Sequence, residues 1–137
     1  MGSIDKLLLD SDTVSYYLRK QSDVVRYAQE YLIEHVNFSF SIITRFEILR
    51  GMKAKGATIQ VSKFDVFCFN NEVLGIDDKI IVRASDIYAS LRRSGKTIGD
   101  SDILIAATAL ENGLLLVTNN ENHFDSISGL ELINWTR

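Results

Sequence analysis

The chain has 137 residues, of which 46% are hydrophobic and 24% charged. That suits a single globular domain and excludes a disordered tail or a fibrous protein. The net charge of −3 excludes a coat held to nucleic acid by charge alone, but leaves room for a nucleic-acid enzyme whose acids surround a cation.

Lys6-Leu7-Leu8-Leu9 reads as a short apolar strand ending at Asp10, of the kind buried on both faces. Helices are expected from about Thr13 to Lys20 and from Ser22 to His35, the second with Val24, Val25, Ala28, Tyr31 and Leu32 on one side. Phe38 to Ile43 reads as strand two. Thr44 then opens a helix to about Lys55, and an amphipathic stretch covers Thr58 to Phe69. Glu72 to Ile76 is a third strand, and Asp77 or Asp78 caps a helix that ends near Ser94-Gly95. Ser101 to Asn112 is an apolar helix closed by Gly113. Leu114 to Thr118 is strand four and Leu130 to Asn134 strand five. Strands alternating with helices predict an α/β fold with a mainly parallel sheet of four to five strands flanked by helices.

Ligands of such sheets gather beyond the carboxyl ends of the strands. Asp10 follows strand one, Glu47 lies on the helix after strand two, and Asp102 lies on the helix ahead of strand four, with Asp100 two residues before it. Asn119, Asn120 and Glu121 follow strand four. All of them fall at one edge of the expected sheet. Carboxylates gathered there repel one another, and a divalent cation relieves the repulsion. Oxygen donors without Cys or a paired His favour Mg²⁺ or Mn²⁺. Such an ion can acidify water and stabilise the oxygens of a phosphodiester displacement, so metal-assisted cleavage of a nucleic-acid backbone is the chemistry these residues suggest.

Each acid also has a simpler use. Thr44-Arg45-Phe46-Glu47 matches a capping box, Asp100 and Asp102 could complement a helix dipole, and Asp10-Ser11-Asp12 could be a turn and helix cap, the main reading of Asp12. His35 and His123 lack metal-ligand spacing and are assigned to no metal, and Trp135 is expected to pack. No Gly-rich phosphate loop is present, nor a Ser–His or Cys–His pair at a recognisable spacing. Two basic groups, Arg45, Arg50, Lys53 and Lys55, then Arg83, Arg92, Arg93 and Lys96, could position phosphates.

No apolar run reaches the roughly 18 residues needed to cross a bilayer. Met1 to Asp10 lacks a signal-peptide layout, and Met1-Gly2-Ser3 fails as an acylation start because Lys6 stands where Ser or Thr is needed. A soluble cytoplasmic protein with no membrane association is expected. The single Cys68, between Phe67 and Phe69, reads as a buried hydrophobe in a reducing compartment.

Four segments together resemble the PIN-domain family, in its VapC-like toxin type. They are Leu7-Leu8-Leu9-Asp10-Ser11-Asp12, Ser41-Ile42-Ile43-Thr44-Arg45-Phe46-Glu47-Ile48-Leu49-Arg50-Gly51, Ile98-Gly99-Asp100-Ser101-Asp102-Ile103-Leu104-Ile105-Ala106-Ala107, and Leu116-Val117-Thr118-Asn119-Asn120 continuing through Phe124 and Gly129-Leu130 to Trp135. The resemblance implies one PIN-like domain over residues 1–137, with Asp10, Glu47 and Asp102 as metal-binding acids and Asn120 at the fourth catalytic position. Asp12 stands where these toxins often have Asn. Asp100 offers a further carboxylate, and Thr44 and Thr118 match supporting hydroxyls. The resemblance further implies a Mg²⁺-dependent endoribonuclease, with Mn²⁺ as a substitute, acting on RNA as the toxin of a toxin–antitoxin pair. A homodimer, a cognate antitoxin and operator DNA bound only through the antitoxin complex are the implied partners. A binding or assembly module with little or no nuclease turnover is the alternative, motivated by an amide rather than an acid at Asn120. A phospho-receiver domain would need an acceptor Asp at the end of strand three and a Lys after a later strand. Asp77 follows strand three, but Thr118 is followed by Asn119-Asn120.

Overall fold

The computed structural model describes residues 5–137, so the Met1-Gly2-Ser3 start lies outside the described residues. In chain order the elements are β1 (Leu7–Leu9), α1 (Ser11–Leu18), α2 (Ser22–Glu34), β2 (Ser39–Ser41), α3 (Ile42–Ala54), α4 (Thr58–Phe69), β3 (Glu72–Leu74), α5 (Asp78–Arg93), α6 (Asp100–Glu111), β4 (Leu115–Val117), α7 (Glu121–Phe124) and β5 (Leu132–Ile133). The five strands form one sheet in the order β3-β2-β1-β4-β5, and every pairing is parallel. The expected α/β architecture is what the chain adopts.

The run of three leucines in β1 divides between two cores because successive strand side chains face opposite ways. Leu8 packs with Ile80, Ile87, Ile105 and Leu116 under α5 and α6. Leu7 and Leu9 pack with Val14, Tyr31, Phe40, Phe64 and Trp135 under α1, α2 and α4. A strand buried on both faces needs no polar alternation, which is why Leu7-Leu8-Leu9 and Leu115-Leu116-Val117 read as unbroken apolar runs. Cys68 and Trp135 are buried, as expected.

The strands are shorter than the sequence suggested, because the caps take their last residues. Ser41 ends β2 and also caps α3, its Oγ accepting from Ile43 N at 3.0 Å. The helix therefore starts ahead of Thr44, which stands buried in the first turn. This overturns the capping-box reading of Thr44 and Glu47. Asp10, rather than Asp12, caps α1, with Oδ1 accepting from Thr13 N at 2.8 Å. Asp77 caps α5 by accepting from Ile80 N at 3.0 Å, and β3 lies at the sheet edge, so the phospho-receiver arrangement is excluded.

Register fixes where the side chains that follow the strands emerge. Leu9 is level with Phe40 on one side and with Val117 on the other. Asp10, Ser41 and Thr118 each follow one of those positions, so they emerge along one line at the carboxyl edge. The chain runs from β1 outward through β2 to β3 and then crosses back to β4 on the other side of β1. The strand order thus reverses between β1 and β4, and that is where an open parallel sheet leaves a crevice.

Candidate active site

Asp10 occupies that crevice. It is 4% exposed, and burial pushes its carboxyl up to about 6, against the hydrogen bonds from the Thr118 hydroxyl and Thr13 N and with the help of the neighbouring Asp12 charge. The Thr118 hydroxyl is oriented in turn, because its oxygen accepts from Asn120 N at 2.9 Å, leaving its hydrogen for Asp10.

Glu47 reaches the same edge from the second turn of α3. Its Oε1 accepts from Ser11 Oγ at 2.6 Å, and Ser11 Oγ lies 3.0 Å from Thr44 Oγ1. Ser11 has a single hydrogen and donates it to the carboxylate, so Thr44 donates to Ser11. The buried hydroxyl of Thr44 thus fixes the serine that fixes the acid.

Asp102 comes from the first turn of α6, whose cap Gly99 makes no side-chain bond. Burial raises its carboxyl above the ordinary range; His123 opposes the shift, while the charges of Glu47 and Asp12 add to it. Asp102 thus lies within electrostatic reach of Glu47 and Asp12. His123 Nδ1 stands 3.1 Å from Asp102 Oδ2 and 3.0 Å from Asn120 Nδ2. Asn120 therefore joins the group through His123. No spacing rule reveals this contact, because the short helix α7 that carries His123 has no apolar period.

Other candidates fall elsewhere. Asp100 points to α5, in a hollow with Ile81, Ser85 and Tyr88. Glu121 accepts from Asn134 Nδ2 at 2.9 Å and from the guanidinium of Arg137, which ties down the C-terminal segment. Asn119 reaches Tyr16 OH at 3.4 Å. Of the basic residues, Arg45 pairs with Asp65 and Arg83 with Glu111. Arg50 and Lys55, with Ser11, Asp12, Arg19 and Glu47, line an open groove of about 570 Å³. Glu47 and Asp12 therefore face a mixed-charge groove between α1 and α3.

Each acid is already bonded within the protein, and among the described residues no three His, Cys, Asp or Glu side chains close on one ion-sized point. The donor set still suits a hard divalent cation. Asp10, Glu47 and Asp102 offer oxygen only, and two of the three are strained toward protonation by burial and repulsion.

The PIN domain family model matches residues 7–130. The chain belongs to the PIN-domain family. Its resemblance within that family is to the VapC type. It is 30% identical to Ribonuclease VapC2 of Rickettsia felis, over 95% of this chain and 98% of that protein. It is 28% identical to the tRNA(fMet)-specific endonuclease VapC of Salmonella typhimurium, again over 95% and 98%. The crystal structure of DNA-bound VapBC from Salmonella typhimurium superimposes with a TM-score of 0.85 at 27% identity, covering 96% of this chain and 99% of that one. Among the described residues no helix is long and apolar enough to cross a membrane.

Proposed function

We propose that this PIN-domain chain is a metal-dependent endoribonuclease and the toxin of a toxin–antitoxin pair. The observation that carries the reading is that Asp10 follows β1 where the strand order reverses, while Asp102, from a separate stretch of chain, lies within electrostatic reach of Glu47 and Asp12. VapC relatives named as ribonucleases, and a VapBC complex of the same fold, support it.

In this reading Asp10, Glu47 and Asp102 hold Mg²⁺, or Mn²⁺ in its place. When bound, the ion supplies an acidified water and neutralises charge building on the scissile phosphate. The chain's own residues set the stage. Ser11 and Thr44 keep Glu47 turned to the crevice, Thr118 and Thr13 N hold Asp10, and Arg50 and Lys55 offer positive charge to the flanking phosphates in the groove. RNA is the substrate, a cognate antitoxin covers the groove, the chain pairs as a homodimer, operator DNA is met only through the antitoxin complex, and the setting is the cytoplasm.

The test is cleavage of a pool of small structured RNAs by the wild type and Asp102→Asn, each in Mg²⁺, Mn²⁺ and EDTA. Cleavage that needs the ion and disappears in the variant is expected. Tight RNA or antitoxin binding with no cleavage under any divalent ion would replace this reading with that of a binding module, which Asn120 in place of an acid favours.

A further inference from the structure

Arg92, Arg93 and Lys96 place three positive charges within five residues, and no other run of five residues in the chain carries three. The protein as a whole has a net charge of −3. Among the described residues Lys6, Arg26, Arg45, Arg50, Arg83 and Arg137 each pair with a carboxylate, whereas Arg92, Arg93 and Lys96 pair with none. All three are exposed, as are Ser94, Gly95 and Thr97 around them. The helix dipole accounts for part of this, because it favours cations in a last turn, and Arg92 and Arg93 occupy that of α5. Lys96 lies beyond the helix end, where the effect has faded.

The backbone that carries these cations is fixed. Gly95 adopts φ +73°, its N donates to Arg92 O at 3.1 Å, and Lys96 N donates to Leu91 O at 2.9 Å. Those two bonds close the helix in a Schellman motif. Arg92 Nη1 donates to the Tyr88 hydroxyl at 3.2 Å, which leaves its other N–H groups for a ligand. Charges held in this way lose little freedom when a partner arrives. The turn also lies at the functional end of α6. Helices α5 and α6 run antiparallel, since Arg83 pairs with Glu111 while Leu91 shares a small cleft with Ile103, Arg92 and Lys96. Ile103 directly follows Asp102, and the stretch from Lys96 to Asp102 spans at most about 22 Å. Asp100 sits in a separate hollow with Ile81 and Ser85, and Tyr88 lines both.

RNA drawn toward Asp10, Glu47 and Asp102 brings its phosphates to carboxylates, so its hold on the protein has to come from cations elsewhere. We propose that the turn between α5 and α6 is a second contact for the RNA substrate, in which Arg92, Arg93 and Lys96 hold backbone phosphates of the strand outside the cleavage site. Contacts of this kind set the position of the strand and read no sequence. The inference deepens the ribonuclease reading above and rests on it.

Binding of a fluorescently labelled hairpin RNA with single-stranded flanks, followed by anisotropy on the full chain in EDTA across a salt series, tests it apart from cleavage. The triple variant Arg92→Gln, Arg93→Gln, Lys96→Gln removes the patch. A second triple variant, Lys20→Gln, Lys63→Gln, Lys79→Gln, removes the same charge from exposed lysines elsewhere. Each phosphate contact with a single strand adds about 0.7 to the slope of log affinity against log salt. Loss of three should flatten that slope by about 2 and weaken binding about 100-fold at about 0.1 M salt. The second triple variant should bind close to the wild type. Lys96→Gln alone, which leaves α5 intact, should flatten the slope by about 0.7 and keeps the test decisive if the first triple variant unfolds. A wild-type slope in the turn variants, or an equal loss in the second triple variant, would overturn the proposal. So would a turn variant that changes the sedimentation of the chain and not its RNA binding, because the patch would then be a contact between protein chains. Turn-dependent binding by a protein that cuts no RNA would leave this inference standing and remove the nuclease reading alone. Cleavage of RNA without turn-dependent binding would remove this inference alone.

Discussion

The Ser11 hydroxyl donates to Glu47 Oε1 at 2.6 Å, joining the first residue after Asp10 to the acid of the next crossover. A bond this short to a charged acceptor is stronger than a neutral one. Ser11→Ala frees Glu47 to turn toward Arg50, whose guanidinium is 3.8 Å away. We expect cleavage to fall about tenfold, as for other residues that orient a metal ligand, with thermal unfolding nearly unchanged. Initial rates at saturating Mg²⁺ check this; an unaffected rate would remove Ser11 from the site.

Asp10 makes stability depend on pH. Its carboxyl is raised from 3.8 to about 6 in the folded protein, so the folded chain holds that proton more tightly than the unfolded chain. The stability it contributes is complete below pH 3.8 and is lost as pH rises through about 6, a loss of about 3 kcal/mol. Asp102 shifts in the same direction and Glu72, lowered by Lys6 and Ser39, in the other. The comparison with Asp10→Asn isolates the effect. Urea unfolding in EDTA across that window should show a decline in the wild type that is mostly absent from Asp10→Asn.

Mg²⁺ should oppose that decline, because an ion on the ionised carboxylate returns what burial costs. The rise in Tm on adding Mg²⁺ is expected to be larger at pH 8 than at pH 5, and to vanish in Asp10→Asn. A calorimetric scan at the two pH values, with and without the ion, decides it. An equal rise in the variant would place the ion elsewhere.

Arg50 lines the groove beside Glu47 and lies over the exposed ring of Phe46, 5.0 Å from its centroid. Arg50→Ala should raise KM for RNA severalfold while leaving kcat and Mn²⁺ binding close to wild type. A fall in kcat at constant KM would mean that the guanidinium acts on the reacting phosphate instead.

Phe40 is fully buried in the middle of the sheet. Phe40→Ala should cost about 3–5 kcal/mol of stability, read from denaturant unfolding. Loss of function in that variant would then follow its unfolded fraction rather than any change at the acids.

The sheet was legible because its strands are buried on both faces and carry continuous apolar runs, while α5 shows the helical period through Ile80, Ala84, Ile87 and Leu91. Element ends were not, since Ser41 and Asp10 serve a strand end and a helix cap at once and spacing cannot divide such residues. The candidate acids share an edge that the order of strands and helices predicts. Glu47 was assigned two competing uses, and only the position of Ser41 as the true cap leaves it free for the crevice. His123 carries no spacing signal because its contact runs to Asp102 on another helix, through tertiary packing that no spacing rule encodes. Asp100 and Asp102, two positions apart in one turn, face different neighbours, a distinction that helix geometry alone does not tie to function.

The level ends of β1 and β4 also bear on timing. Thr13 Oγ1 donates to Val117 O across 104 positions of chain, at 3.1 Å, and Asp10 N donates to that same oxygen at 3.0 Å. The local Thr13 N–H holds the Asp10 carboxyl, but the Asp10 backbone is tied to the sheet only when β4, which follows Asp102 in the chain, lies beside β1. A chain still emerging from a ribosome can hold Asp10 and Glu47 but has no crevice between them and Asp102. The crevice thus depends on the pairing of widest sequence separation in the sheet, that of β1 with β4.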